Sequence, residues 1–382
     1  MKIAMFYHSL LSDWNHGNAH FLRGIVSELR LRGHDVAVYE PKNGWSLSNL
    51  RAEHGEGPIQ ALRQAYPGLH ESSIEYEPAT LNLKMALDDA DLVIVHEWSD
   101  HDLVKRIGEH RARRGKYKLL FHDTHHRAVT EPAAMAKYDL SHFDGVLAFG
   151  NVLRDLYLAN RWTRRAWTWH EAADTRLFRP IHDQAKVGDV IWIGNWGDEE
   201  RTAELHEFLL GPIKAMKLKA EVHGVRYPDH ARASLKDAGI RYAGWLPNFL
   251  APQAFAQFKV TVHVPRQPYT LALPGIPTIR PFEALACGIP LISAPWDDAE
   301  HLFTPGEDLL IARSGAEMKR HLGLLVNEPE ARRQLAAHGH RTILSRHTCA
   351  HRVDELMEVV AELQNDKTPA RRLRRKRSAV TV

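Results

Sequence analysis

The stretch LPGIPTIRPFEALACGIP, residues 273–290, decides how this chain is read. Pro274, Gly275 and Pro277 make a tight loop, Pro281 suits a first helical position, and Gly288 followed by Pro290 stops the helix. Glu283 then falls in the first turn, and LISA (291–294) reads as a strand. A loop entering a helix start presents backbone N–H groups and a positive dipole end, which suit a diphosphate. A carboxylate beside them suits ribose or sugar hydroxyls. A first-turn acid is also favourable in its own right, so the residues alone leave both roles open.

Working outward, strands alternate with helical segments, which argues for parallel sheets joined by helices. Towards the C-terminus the order is DVIWIGNW, a helix over 201–216, AEVHGV, a helix over 252–258, KVTVHV and the Glu283 unit. Helical segments at 316–325, 328–338 and 351–363 follow. Towards the N-terminus come KIAMFY, a helix over 20–32, DVAVYE, a less regular section at 43–78, a helix near 81–88, DLVIV, KLLF and GVLAF. Periodicity lapses over 171–188. With 382 residues, beyond the usual size of one core, two α/β domains are expected. Their bounds are 1–172 and 188–350, with a linker at 173–187, a C-terminal helix at 351–366 and a basic tail at 367–382.

Three of the expected strands run into histidine: KIAMFY into His8, DLVIV into His96-Glu97 and KLLF into His122-Asp123. Carboxyl ends of strands in open parallel sheets line the ligand crevice, so these side chains belong on one rim facing the second domain. HDTHHR adds His125, His126 and Arg127. Such groups can position a hydroxyl, move a proton near neutral pH, hold a metal, or serve as hydrogen-bonded scaffold. With 25 histidines in the chain, some of this pattern arises by chance.

The glycines of HGNAHFLRG have the wrong spacing for a dinucleotide fingerprint, and no G-x-x-x-x-G-K-[ST] run is present. Nicotinamide or flavin enzymes and P-loop nucleotidases are therefore disfavoured. No apolar run is long enough to span a bilayer, and MKIAMFYHSLLSDWNHG lacks the pattern of a secretory signal. Cys287 and Cys349, the only cysteines, have no metal-type spacing and read as packed thiols of a reduced, cytoplasmic setting. The net charge of +3 belongs to the tail: removing the six basic residues of TPARRLRRKRSAVTV leaves 44 Lys+Arg against 47 Asp+Glu. That tail reads as a disordered, solvated end, or as a weak contact with anionic lipid at a membrane periphery or with nucleic acid.

PFEALACGIPLISAP resembles the donor-binding segment of nucleotide-sugar glycosyltransferases with the GT-B fold. Glu283, Ala284, Ala286, Cys287, Gly288 and Pro290 match their E-A-x-A-C-G-x-P signature, the second half of an E-x7-E pattern. The first glutamate of that pattern falls on Gly275, a departure that bears on sugar identity and chemistry. IGNWGDEERTAEL and PGIPTIRPFEALACGIPLISAPWDD resemble the CgeB-like (spore maturation protein) glycosyltransferase-like group, over about residues 189–363. The resemblance implies two Rossmann-like domains facing each other across a cleft. The second domain would hold a UDP-, GDP- or other nucleotide sugar, and the terminal helix would cross back to the first. It further implies a hexosyltransferase-type enzyme with no bound cofactor or metal.

A departing nucleotide diphosphate gains charge in the transition state, so cations are expected beside it. Arg201, Arg266 and Arg280 fall at strand ends or helix starts, with Arg201 and Arg266 the favoured phosphate contacts. Gly17, matching the place of a glycine-containing loop in the resembled enzymes, together with Asn195, Gly275, Ile276, Thr278 and Tyr269, completes the expected donor side. Gly194 permits a close approach. Tyr269 is the leading candidate for aromatic stacking among Trp192, Trp196, Trp245 and Trp296. If configuration is inverted, His122, Asp123 and His96 are the candidate catalytic groups; if it is retained, the leaving phosphate can accept the proton. The acceptor is left open among a glycan, a lipid-linked group, a small molecule and nucleic acid. A sugar-nucleotide epimerase or phosphorylase, or a non-catalytic binding or surface-assembly module, are the competing readings.

Overall fold

A computed structural model describes residues 1–365; the basic tail at 367–382 lies outside the described residues. The strands are β1 (Lys2–Phe6), β2 (Asp35–Pro41), β3 (Ser73–Tyr76), β4 (Leu92–His96), β5 (Lys118–Asp123), β6 (Gly145–Ala148) and β7 (Ala166–Thr168), then β8 (Gly188–Ile193), β9 (Ala220–His223), β10 (Arg241–Gly244), β11 (Phe258–His263), β12 (Leu291–Ser293) and β13 (Leu310–Ile311). They make two sheets, ordered β3-β2-β1-β4-β5-β6-β7 and β10-β9-β8-β11-β12-β13, with parallel neighbours throughout. Each sheet reverses its order at its first strand, β1 or β8. The central strands are apolar on both faces because helices cover both sides, as all five residues of β4 show by being buried.

The section at 43–78 is more regular than its sequence suggests. It holds helices Trp45–His54 and Gly57–Ala65, a 3-10 turn Leu69–Ser72 and the polar edge strand β3. The expected helix at 201–216 has three parts: Thr202–Leu205, a π-turn His206–Leu210, and Gly211–Met216. Pro212 explains the break. It has no N–H to give to the preceding turn, and the wider π-turn accommodates its ring.

The last helix, Cys349–Asn365, lies on the first domain. Val353, Leu356, Val360 and Leu363 join the core that contains Leu22, Ile25 and Leu29 of the helix Ala19–Leu31. Lys118 Nζ donates to Leu363 O at 2.6 Å and Trp169 Nε1 to Arg352 O at 2.7 Å. Cys349 and Asp174 leave no room for a side chain at Gly24, which permits that close helix packing. Both thiols are free and buried, and burial pushes each well above its ordinary pKa, consistent with packed rather than reactive cysteines. Among the described residues no helix is long and apolar enough to cross a membrane.

Candidate functional site

The carboxyl ends of the two sheets face each other, and polar contacts join them. Asp13 Oδ2 accepts from Asn248 N at 3.2 Å, Asn15 Oδ1 accepts from Asn195 Nδ2, and Glu300 Oε1 accepts from Asn151 N at 2.7 Å. Glu300 Oε2 also lies 2.9 Å from His170 Nε2. Asn195 Oδ1 accepts from Val225 N at 2.8 Å, so this one amide spans both domains.

Arg201 caps the helical run after β8. Its guanidinium donates to Val264 O at 2.5 Å, Asn195 O at 2.6 Å and Trp196 O at 3.4 Å, and lies 5.2 Å from the centre of the Trp192 ring. Burial, together with the charges of Arg266 and Arg280, pushes it down to about 10, still charged at neutral pH. It forms no ion pair with a described carboxylate. Arg266 is bound to Glu200, and Arg280 to Glu283. Of the three arginines, Arg201 alone is held by carbonyls with no carboxylate on its guanidinium, which leaves its charge for an incoming anion.

The helix Ile279–Ala286 begins two residues before Pro281, so Glu283 lies beyond its first turn, which holds no acid. The expectation of a first-turn carboxylate is thus corrected. The cause is Thr278, whose φ of 60° and ψ of −176° turn the chain into the helix early. For a β-branched residue that conformation costs about 1–3 kcal/mol. Glu283 is wholly buried: Arg280 and Asn248 Nδ2 (2.7 Å) donate to it. Asp174 N donates to His20 Nε2 at 2.7 Å, which puts the proton of the neutral His20 ring on Nδ1, 3.3 Å from Glu283 Oε1. Burial raises the Glu283 carboxyl above its ordinary value.

Sequence reasoning missed Glu171, Asn248 and Glu300. Glu171 is buried and forms no hydrogen bond or ion pair with another described residue. Burial and the nearby Glu283 hold its carboxyl well above the ordinary range. A lone acid in the otherwise apolar EAA of 171–173 is the signal available for it.

Gly275 has a φ of 86°, and a Cβ there would lie 2.5 Å from Glu300 Cγ and 2.8 Å from Glu300 Oε1. The side chain that a glutamate at 275 would place there is replaced by Glu300 from the other side of the loop. Gly275→Ala is expected to lose about 1–3 kcal/mol of stability, from strain and from displacement of Glu300 off Asn151 and His170. Urea unfolding checks this, and an unchanged midpoint would contradict it. From the same loop Leu273, Ile276 and Tyr269 are buried in a first-domain core with Phe149. Tyr269 therefore packs edge-on to Phe149 at 6.2 Å and to His126 at 5.5 Å, and its ring is enclosed by the first domain.

The strand-end histidines lie together. His96 and His122 are fully buried: His96 Nε2 is 2.9 Å from Thr124 Oγ1, and His122 Nδ1 is 2.6 Å from Tyr7 Oη. Asp123, also sealed, accepts from Tyr157 Oη at 2.8 Å and His125 N at 3.0 Å. Outside them, ring centres follow one another from His16 to His8 (3.7 Å), Trp98 (6.4 Å), His125 (5.3 Å) and His126 (4.0 Å). Arg127 pairs with Glu97 and lies 4.1 Å over the Trp98 ring. Among the described residues no three or more His, Cys, Asp or Glu are grouped to hold a metal ion.

Burial keeps these histidines neutral, at about 4 for His8 and His126 and about 3 for His122, with His16 and His96 also well below 6.5. Their folded values lie below the unfolded one, so the unfolded chain binds more protons between about pH 3 and 6.5. Stability present above pH 6.5 is lost as pH falls through that window. Burial raises Asp123 to about 6 and also pushes Glu97 upward against the pull of its Arg127 partner, and this opposes the trend weakly, because stability from those two falls as pH rises. The histidines outnumber them, so the urea midpoint is expected to drop steeply between pH 6.5 and 4.5. A flat profile there would contradict these assignments.

Gly17 is exposed, and a Cβ there would meet nothing within 4 Å, so neither space nor backbone demands glycine. Gly194 does need to be small, since its Cβ would lie 2.9 Å from the Trp192 ring. Trp192, Trp196 and Trp296 are buried, the last donating from Nε1 to Ile276 O at 3.1 Å. Trp245 instead borders an inter-domain cleft of about 620 Å³, with Trp14, Trp45, Glu53, His54 and Arg226. His54 stacks on Trp245 at 4.6 Å. A second cavity, of about 500 Å³, lies on the outer side between Lys214 and Asp237, away from the facing strand ends.

Residues 201–358 match the family model described as "Glycosyl transferase-like". No curated protein matches the sequence. Among solved structures, sucrose-phosphate synthase from Thermosynechococcus elongatus superposes with a TM-score of 0.63 at 12% identity, covering 95% of this chain and 99% of that one. HepE from Anabaena, in complex with UDP-glucose, gives 0.67 at 12% identity over 95% of this chain and 100% of its own. An alpha-glucosyltransferase in complex with UDP-glucose and DNA containing an abasic site gives 0.69 at 11% identity, over 94% and 99%. The chain has the GT-B fold, and the segment that matches the glycosyl transferase-like model, residues 201–358, contains Arg201 and Glu283.

Proposed function

We propose that this protein moves a sugar from a nucleotide-sugar donor, bound between the domains, to an acceptor held by the first domain. Arg201 carries the reading, as a half-buried guanidinium with no carboxylate partner, at the helix start that follows β8. The diphosphate lies against it, and the aromatic cleft at Trp14, Trp45 and Trp245 offers the base a stacking surface. The bond from the sugar's anomeric carbon to the phosphate oxygen breaks, and a bond to the acceptor oxygen forms. The acceptor proton passes to the departing phosphate, whose growing charge Arg201 stabilises. No enzyme base is then required, which fits the sealed positions of His96, His122 and Asp123.

Glu283 acts as a positioning residue in this closed arrangement: it fixes Arg280 and Asn248 and meets His20 across the cleft. Parting of the domains would free it for ribose hydroxyls. Members of the CgeB-like group, with a hexose donor and no resident metal, are the reading that the quoted motifs favour. The names of the structural neighbours make UDP-glucose the first donor to try. A non-catalytic donor-binding module is the second reading, favoured by Gly275 and the Glu300 side chain that fills its place.

Release of nucleoside diphosphate from UDP-glucose and other nucleotide sugars, followed with and without candidate acceptors, separates the two. Slow hydrolysis that an acceptor accelerates supports the transferase. Saturable donor binding with no turnover under any condition supports the binding module.

A further inference from the structure

The outer histidines of the first domain carry more information than the transfer itself requires. His8 Nδ1, His16 Nε2, His125 Nδ1 and His126 Nε2 are buried yet have no hydrogen-bond partner among the described residues, and both polar atoms of the Asn18 side chain share that condition. His16, His126 and Asn18 are each more than nine-tenths buried. Buried polar atoms are as a rule paired, so their grouping on one edge points to a ligand that completes them.

The charges around this edge are already cancelled. Arg23 is bound to Asp13 at 2.7 Å, Arg127 to Glu97 and Arg266 to Glu200. Burial keeps the imidazoles uncharged, and a neutral imidazole offers one donor and one acceptor, the pattern of a hydroxyl. Trp98, 47% exposed, supplies a flat apolar ring at the middle of the row, one face of it covered by Arg127. Binding of phosphate groups draws on free cations, and this edge has none among Arg23, Arg127 and Arg266.

We propose that the row His16, His8, Trp98, His125 and His126 is the acceptor site, and that it takes an uncharged polyhydroxylated acceptor, a saccharide. This rests on the transferase reading. Tyr269, 5.5 Å from His126, closes the second-domain end of the row. An acceptor hydroxyl reaching that end is delivered to the face where the donor loop enters the first domain.

The full chain, saturated with UDP, is applied to an array of neutral, acidic and phosphorylated glycans, and to single-stranded DNA and phosphatidylglycerol vesicles. Binding confined to neutral glycans is expected. Trp98→Ala, at a half-exposed position that should not unfold the chain, is expected to weaken that binding about tenfold or more. His125→Phe should do the same, and neither should alter the affinity for UDP. Binding to acidic glycans, DNA or vesicles in preference, no glycan binding at all, or glycan binding indifferent to both substitutions would each overturn the proposal. UDP affinity is read in the same samples: its absence with glycan binding intact defeats the donor reading, and the converse defeats only this one.

Discussion

Arg201→Met is expected to weaken UDP binding by about 100-fold. Charge-assisted hydrogen bonds contribute about 1.5–3 kcal/mol each, and losing about 3 kcal/mol corresponds to two orders of magnitude. The effect on the unliganded protein should be much smaller. The substitution leaves the carbonyls of Val264, Asn195 and Trp196 without their donor, which destabilises. It also removes a partly buried charge that no carboxylate balances, which stabilises. Melting curves with and without UDP check both parts. The wild type at about 100 times the dissociation constant should gain about 2.7 kcal/mol, and the variant almost nothing. A variant shifted by UDP as strongly as the wild type would remove Arg201 from the donor site.

Glu283→Ala is expected to lose about 3–5 kcal/mol of stability, as is usual when one partner of a buried ion pair is removed. Arg280 and the Asn248 amide lose their common acceptor, and the His20 ring loses a carboxylate 3.3 Å away. At about 2–4 °C per kcal/mol for a domain of this size, the apparent melting temperature should fall on the order of 10 °C. The double variant Glu283→Leu with Arg280→Met leaves neither charge buried alone, and should recover a good part of that loss. If the single variant melts no lower than the double, Glu283 does not anchor the inter-domain contact.

The parts legible in the sequence are those governed by local pattern. Strands β1, β4, β5, β8 and β11 stand out because helices cover both faces and the chain answers with apolar runs. The place of Arg201 at a helix start is legible because the polar loop GNWGDEE separates it from an apolar strand. What escaped detection depends on distant partners. Polar β3 and two-residue β13 are strands only because β2 and β12 lie beside them. The helix start at Ile279 follows from a strained Thr278, where propensity alone favours Pro281. Glu300 fills the space at Gly275 from 25 residues along the chain, and Asn248 reaches Glu283 across a separation of 35.

Calorimetric titration of the wild-type protein with UDP, GDP, ADP and inorganic pyrophosphate tests the central claim most directly. The account predicts one saturable site per chain for a nucleoside diphosphate, weaker binding of pyrophosphate, which lacks a base to stack in the Trp14–Trp245 cleft, and loss of the heat in Arg201→Met. No saturable heat from any of the four ligands, or binding that Arg201→Met leaves intact, would contradict it.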